Sequence, residues 1–192
     1  MTTVFVEGLL QFEFADDWHA VHYDQHPDYM DRLKRLSRTK AVDFVAINSD
    51  STLFLIEAKD FRGHRIENQA RIKGGGLAVE VAQKVRDTIA GIVAANHRGN
   101  AGTWERIICC LSSKAPPVRV LLWLEDDLPP GPRGRRQNRA LVMTADLKKE
   151  LTWLRSKVFV NSIASGAPEG ITVTNLPGAG HRKKRVDGGK GP

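Results

Sequence analysis

The sequence has few cysteines and no long apolar run. Its two cysteines, Cys109 and Cys110, are adjacent within residues 105–111, which we expect to form a strand. Neighbouring strand residues point to opposite faces, so this pair is poorly placed to form a disulfide and indicates a reducing compartment. A membrane-spanning helix needs about eighteen consecutive apolar residues, and the sequence has none. The first residues lack the pattern of a secretory signal, so we expect a cytoplasmic protein.

Positive charge is concentrated after the first thirty residues. The net charge is +7, yet residues 1–31 contain acidic side chains and no Lys or Arg. The rest of the chain is therefore strongly basic, which favours polyanionic partners through contacts that carry no base specificity. A length of 192 residues with 41% hydrophobic content suffices for one domain with a core. We expect residues 1–176 to form that domain.

Two basic clusters lie in segments that predict little packed structure. Residues 177–192 are rich in Gly and basic side chains, a composition that predicts a disordered tail or folding on binding. Residues 125–139 contain a Pro/Gly stretch and predict a loop or linker. The basic residues that we expect to contact nucleic acid, unless they are merely solvated, are Arg133, Arg135, Arg136, Arg182, Lys183, Lys184 and Arg185.

A β-hairpin is predicted in the first half of the chain. Residues 41–47 and 52–59 are rich in β-branched and aromatic side chains, and they flank a polar stretch at 48–51. If Asn48 faces Thr52 across the turn, the pairing register of the two strands is fixed.

This register brings chemically reactive side chains together. Asp43 lies opposite Glu57, and Lys59 projects from the same face because side chains alternate along a strand. Two opposed carboxylates within apolar strands destabilise a hairpin unless a cation neutralises them. The alternative is a structural hairpin on which these polar side chains have no function. Mg²⁺ suits this set of oxygen ligands, to which the Ala58 carbonyl is a plausible addition. The predicted site therefore hydrolyses phosphodiester bonds with a divalent ion.

The pattern Asp-x13-Glu-x-Lys resembles the PD-(D/E)xK nuclease superfamily, also described as restriction-endonuclease-like. Val42 stands where the proline that names the motif would be, a departure that the superfamily tolerates. The resemblance implies an α/β fold with a central mixed β-sheet flanked by helices. It also implies a catalytic role for Asp43, Glu57 and Lys59, with Asp43, Glu57 and Ala58 binding Mg²⁺ or Mn²⁺.

The remaining elements match the order of that core. We predict helices over 27–36, 77–95 and 144–154, and strands over 105–111, 119–124 and 171–173. The long helix is indicated by apolar residues that recur every four positions.

The resemblance also implies polar contributions from the helices. Members often carry a polar residue on the second helix that reaches the site. Here the matching residues are Gln83, for which we expect a catalytic role, and Lys84, which we expect to contact nucleic acid. The alternative is a solvated face on which Glu80 and Lys84 form an ordinary ion pair. An acidic residue on the first helix often supplies a further metal ligand, for which Asp31 is the candidate.

Two other patterns have plainer explanations. His19, His22 and His26 have a spacing that could place zinc ligands on one helix face, but Pro27 follows at once and no cysteine joins them. The glycines at 74–76 precede the long helix without any full phosphate-binding motif around them, which favours a connector.

The sequence thus predicts a Mg²⁺- or Mn²⁺-dependent endodeoxyribonuclease. By resemblance, its setting is restriction, antiviral defence or DNA repair, as a homodimer or a subunit of a larger complex without membrane association. Two alternatives remain open: a catalytically silent module that binds nucleic acid or a partner, and a resolvase specific for junctions or flaps.

Overall fold

The structure of the chain is a computed structural model that describes residues 1–99, 101–115, 118–127 and 134–177, without the side chains of 65, 66, 69, 101, 103 and 134–137. The described strands are β1 (Thr3–Glu7), β2 (Leu10–Phe14), β3 (His19–His22), β4 (Phe44–Ile47), β5 (Leu53–Asp60), β6 (Val118–Glu125), β7 (Ser156–Asn161) and β8 (Ile171–Asn175). The described α-helices are α1 (Pro27–Met30), α2 (Arg65–Lys73), α3 (Gly76–His97), α4 (Ala101–Ser112) and α5 (Gly134–Glu150).

The strands form two sheets of different kinds. Five of them make a mixed sheet in the order β3-β4-β5-β6-β7, antiparallel from β3 to β5 and parallel from β5 to β7. The other three make an antiparallel sheet in the order β1-β2-β8. The predicted α/β class with a central mixed sheet and helices is therefore confirmed.

The predicted hairpin is present with its predicted register. Phe44 pairs with Ile56 and Ile47 pairs with Leu53, so Asn48 faces Thr52 across the turn. The Asn48 side chain accepts a hydrogen bond from the Thr52 N–H at 2.8 Å, and Ser51 takes a left-handed φ of 56°. An Asn that satisfies its own turn in this way fixes the strand ends and hence the register.

Helix α3 packs on one face of the mixed sheet. Its buried stripe includes Leu77, Val81 and Val85, as the apolar period predicts. Gly91 permits a close approach: a Cβ there would lie 2.4 Å from the Tyr23 hydroxyl oxygen. Larger residues at 91 would push the helix away from the segment that follows β3.

Aromatic side chains fill the space between the two sheets. Phe12 contacts Phe44 and Trp123, with ring centroids 4.8 Å and 5.9 Å apart. All three side chains are essentially inaccessible to solvent. The mixed sheet is thus covered by helices on one face and by the antiparallel sheet on the other.

Three predicted elements differ from the structure. Residues 105–111 belong to helix α4, not to a strand, and its buried residues Trp104 and Ile107 have helical spacing. Cys109 and Cys110 are therefore neighbours on a helix rather than on a strand. Helix α5 begins at Gly134, so Thr144 lies within it, and residues 134–139 are helical although they were predicted to be part of a loop.

The third difference is the predicted helix 27–36, which is divided. Its first part is the single turn of α1 and its second a 3₁₀ turn at Leu33–Arg35. The predictions of α3, β6 and β8 are confirmed. Within the described residues, no helix combines the length and apolarity needed to cross a bilayer.

Candidate active site

Asp43 and Glu57 meet where β4 and β5 begin to diverge. Extending the hairpin register by one residue beyond the Phe44–Ile56 pair places them opposite each other, as predicted. Both are buried, with 4% and 1% of their surfaces exposed. The Ala58 N–H donates a hydrogen bond to Asp43 Oδ2 at 2.6 Å, which fixes this carboxylate against the edge of β5.

Helix α3 positions the segment that carries Asp43. The Thr88 hydroxyl accepts a hydrogen bond from the Val42 N–H at 3.0 Å, and Asp87 accepts one from the Lys40 N–H at 3.1 Å. The Asp43 carbonyl in turn accepts from the Tyr23 N–H at 2.8 Å. Residues 40–43 are therefore fixed from two sides, so Asp43 is preorganised.

Two lysines neutralise the two carboxylates. Lys59 Nζ lies 2.5 Å from Glu57 Oε1. Lys84 Nζ lies 2.6 Å from the same oxygen, 2.8 Å from Glu57 Oε2 and 3.6 Å from Asp43 Oδ1. We call Asp43, Glu57, Lys59 and Lys84 the charged quartet. The structure thus brings together the three residues of the sequence motif and adds Lys84 from α3.

Glu80 connects the charged quartet to the surface. It lies one helical turn before Lys84, and its carboxylate is 3.7 Å from Lys59 Nζ and 4.0 Å from Lys40 Nζ. It also forms an ion pair with Arg71 of α2. Despite its partial burial, the charges of Lys59, Arg71 and Lys40 lower the pKa of Glu80. Glu80 and Lys84, which the alternative interpretation paired on a solvated face, therefore have separate sets of contacts.

Burial and charge act in different proportions on Glu57 and Lys84. Burial raises the pKa of Glu57 to about 7, an effect that the Asp43 charge reinforces and the charges of Lys59 and Lys84 oppose. Burial disfavours the charged form of Lys84, but the carboxylates of Glu57 and Asp43 outweigh this and raise its pKa above the usual value. Lys84 is therefore firmly protonated, and Glu57 is the group that titrates near neutral pH.

The other polar residues proposed from the helices lie elsewhere. Gln83 donates from its side-chain amide to the Arg38 carbonyl at 2.8 Å, although it is adjacent to Lys84. Asp31 is exposed and forms the C-cap of α1.

Apart from Lys84, the side chains predicted to contact nucleic acid lie outside the description. Residue Arg133 and the cluster Arg182, Lys183, Lys184 and Arg185 lie outside the described residues. Arg135 and Arg136 fall in the first turn of α5, but their side chains are also outside the description.

A second polar cluster, missed by the sequence reasoning, lies near Asp43. Glu7 ends β1, His22 ends β3 and Asp24 follows in a 3₁₀ turn. His22 Nε2 is 3.4 Å from Glu7 Oε2 and 3.1 Å from Asp24 Oδ1. Burial raises the pKa of Glu7 and of Asp24, and the nearby Asp43 charge raises both further.

The histidine pattern in the sequence did not identify this cluster. His19 and His22 lie on a strand, and His26 caps α1 by accepting from the Asp28 N–H at 3.2 Å. The three histidines therefore share no helix face, in line with the plainer explanation favoured from the sequence. Pairing His22 with Glu7 requires contact between β1 and β3, which belong to different sheets.

The charged quartet offers the ligands that Mg²⁺ prefers. Asp43 and Glu57 supply carboxylate oxygens, and both oxygens of Glu57 already lie within 2.8 Å of a lysine ammonium group. In a strand, the N–H and C=O of one residue point to the same side. The Ala58 N–H donates to Asp43, so the Ala58 carbonyl also faces Asp43. These residues fit the ion, but the Lys84 ammonium occupies the space between the two carboxylates.

Comparison with known proteins identifies no family. No family model and no solved structure matches the chain. The chain is similar to the cysteine–tRNA ligase of Neisseria meningitidis serogroup A / serotype 4A, at 26% identity over 151 residues. This similarity covers 65% of the chain and 21% of the ligase, so the chain spans about a fifth of that protein's length.

Proposed function

We propose that the chain is a Mg²⁺- or Mn²⁺-dependent endodeoxyribonuclease, with the charged quartet as its active site. The observation that carries the proposal is the burial of Asp43 and Glu57 side by side with Lys59 on the same strand face. A protein that needed only a stable sheet gains nothing from this arrangement, because buried charges cost free energy even when they are paired.

The proposal includes a restriction-endonuclease-like core. Its support is the succession of antiparallel β3, β4 and β5, then helix α3 on one face, then parallel β6. In this succession Glu57 and Lys59 lie on the central strand β5, Asp43 immediately precedes β4, and Lys84 contacts both carboxylates from α3.

Each member of the charged quartet has a distinct role in the proposed reaction. Asp43 and Glu57 hold the divalent ion, together with the Ala58 carbonyl. When bound, the ion supplies positive charge that stabilises negative charge on the phosphoryl oxygens. Lys59, with 21% of its side chain exposed, faces incoming substrate and stabilises the transition state through its ammonium group. Glu80 keeps Lys59 oriented from the other side.

A silent binding module is the second candidate, and the position of Lys84 favours it. Two carboxylates and two ammonium groups compensate each other without any metal ion. If Lys84 keeps this position permanently, the charged quartet is a structural unit, and the basic chain binds nucleic acid without cutting it.

A cleavage assay distinguishes these candidates. The full-length protein is incubated with plasmid, single-stranded DNA, a four-way junction and tRNA, each with Mg²⁺, Mn²⁺ or chelator. We expect metal-dependent nicking of DNA that Lys59→Ala reduces by about 10²–10³-fold. Lys157→Ala, which alters an exposed lysine on β7, is the matched control and keeps full activity.

Each other result has a definite meaning. Nicking by Lys59→Ala at the parent rate, or nicking in chelator, contradicts the assignment of the charged quartet. DNA binding without cleavage under every condition supports the silent module. Preference for the junction over linear duplex indicates a resolvase, and cleavage restricted to tRNA changes the substrate class from DNA to RNA.

A further inference from the structure

The end of β1 and the stretch from the end of β3 into the following 3₁₀ turn place Glu7, His22 and Asp24 around one point. Their ligand-type atoms all lie within 4.8 Å of one another, and all three residues are partly buried. Two of them end strands of different sheets, so the cluster joins the sheets at their edges. We call these residues the edge cluster.

The imidazole of His22 is held in a fixed orientation. Its ring lies against Phe44, with centroids 4.7 Å apart, and against Phe5, with centroids 5.5 Å apart. Only 11% of the side chain is exposed. The aromatic neighbours leave Nε2 directed toward the two carboxylates, which reduces the entropy cost of binding a ligand there.

Two polar atoms of the edge cluster are buried at ion-pair distance from each other, but not in hydrogen-bond geometry. Among the described residues, neither His22 Nε2 nor Asp24 Oδ1 has a partner in hydrogen-bond geometry, although the two atoms are 3.1 Å apart. The two atoms attract each other as an ion pair only when His22 is protonated. A shared ion would satisfy both.

The spacing also suits a common ion. Bonds of about 2.0–2.1 Å in tetrahedral geometry separate neighbouring ligand atoms by about 3.3 Å. His22 Nε2 is 3.1 Å from Asp24 Oδ1 and 3.4 Å from Glu7 Oε2, on either side of that value.

We propose that Glu7, His22 and Asp24 bind a divalent transition-metal ion, best suited to Zn²⁺, with at least one coordination position left open. One imidazole and two carboxylates favour Zn²⁺ and Co²⁺ over Mg²⁺, which prefers oxygen ligands alone. Three protein ligands with an open position are typical of catalytic rather than structural zinc sites. This site is separate from the charged quartet and does not depend on the nuclease proposal.

Spectroscopic titration of the metal-free, full-length protein tests the edge cluster. Co²⁺ binding is followed by its visible absorption, Zn²⁺ binding by calorimetry, and the His22 ring nitrogens by NMR. We expect both ions to bind and Zn²⁺ to shift the His22 Nε2 resonance. His22→Gln and Asp24→Asn should each raise the Kd for Zn²⁺ at least about tenfold, since even indirect partners of a metal are worth that much.

The controls separate this site from its surroundings. His19→Gln alters an exposed histidine on the same strand and should leave Zn²⁺ binding unchanged. Glu57→Gln removes a ligand of the charged quartet, so DNA cleavage is lost while the His22-dependent signal persists. A circular dichroism melt of each variant verifies that it is folded.

The competing explanation is a plain ion pair in which a protonated His22 bridges two carboxylates. It predicts no shift of the His22 resonance on adding Zn²⁺ and equal Zn²⁺ affinity in the parent, His22→Gln and Asp24→Asn. Either of these results overturns the proposal.

Discussion

The two faces of strand β5 differ in chemistry, although their residues alternate along one chain segment. Phe54, Ile56 and Ala58 project into the aromatic layer between the sheets. Glu57 and Lys59 project toward helix α3 and carry the charged quartet. One face therefore contributes only apolar burial, while the other combines the apolar burial of Leu53 and Leu55 with the cost of buried charge at Glu57.

The largest effect is expected on the aromatic face. Phe12→Ala removes a buried ring that contacts Phe44 and Trp123, so it should lower the free energy of unfolding by about 3–5 kcal/mol. Urea denaturation measures this change. Val6→Ala, at a half-exposed position on the neighbouring strand, is the control and should change it by less than about 0.5 kcal/mol. Similar losses in both variants would show that the aromatic layer is not the main core.

On the charged face, Lys84→Met should have the next largest effect. It leaves two buried carboxylates with one cation, and we expect a loss of about 2 kcal/mol, below the roughly 3–5 kcal/mol of a fully broken pair because Lys59 remains. Mg²⁺ should then raise the melting temperature of this variant more than that of the parent, since the ion replaces the missing charge. Lys148→Met on α5 is the exposed control. An equal Mg²⁺ response in all three proteins would contradict competition between Lys84 and metal.

The pH dependence of metal binding sharpens the comparison further. Because the pKa of Glu57 is raised to about 7, protons compete with the ion below that pH and leave the carboxylate free above it. The Mg²⁺ affinity should therefore fall by up to about tenfold for each pH unit below 7, while Lys84 stays protonated throughout. Calorimetric titrations with Mg²⁺ at several pH values above and below 7 measure this change in affinity. If the Mg²⁺ affinity of the parent does not change with pH, or if it changes equally in Glu57→Gln, a group other than Glu57 is responsible.

The smallest effect is expected at Gln83, the sequence neighbour of Lys84. Its amide binds the Arg38 carbonyl, so Gln83→Ala should cost about 0.5–1.5 kcal/mol of stability and change the cleavage rate by no more than about twofold. Plasmid nicking and urea denaturation measure the two quantities. A large loss of cleavage with unchanged stability would instead restore the catalytic role predicted from the sequence.

The sequence was informative wherever local patterns decide structure. The hairpin register follows from a turn at 48–51 and from alternation in the flanking strands, and it correctly paired Asp43 with Glu57. The buried stripe of α3 likewise follows from its period of about four residues. Both depend on interactions between residues close in the chain.

Helix α4 shows how composition can mislead. Its isoleucines, tryptophan and leucine favour a strand by type, which led to the predicted strand at 105–111. Yet Trp104, Ile107, Ile108 and Leu111 follow the spacing of one helix face, and the structure buries or half-buries all four. The periodicity was present in the sequence and was outweighed by residue type.

The position of Lys84 could have been inferred in part, whereas the edge cluster could not. Lys84 and Thr88 are four residues apart on α3, and both face the segment that carries Asp43. Phasing the helix on the buried Val81 would have turned Lys84 inward. The edge cluster depends on how one sheet meets another, which no local pattern specifies.

The pairing of β2 with β8 has a consequence for biosynthesis. Leu10–Phe14 forms its second row of hydrogen bonds with Ile171–Asn175, near the opposite end of the chain. A ribosome must therefore release residues 171–175 before the antiparallel sheet closes over the aromatic layer. Until then β2 has only β1 as a partner, so its other edge stays unpaired while the helices and the mixed sheet are already being synthesised.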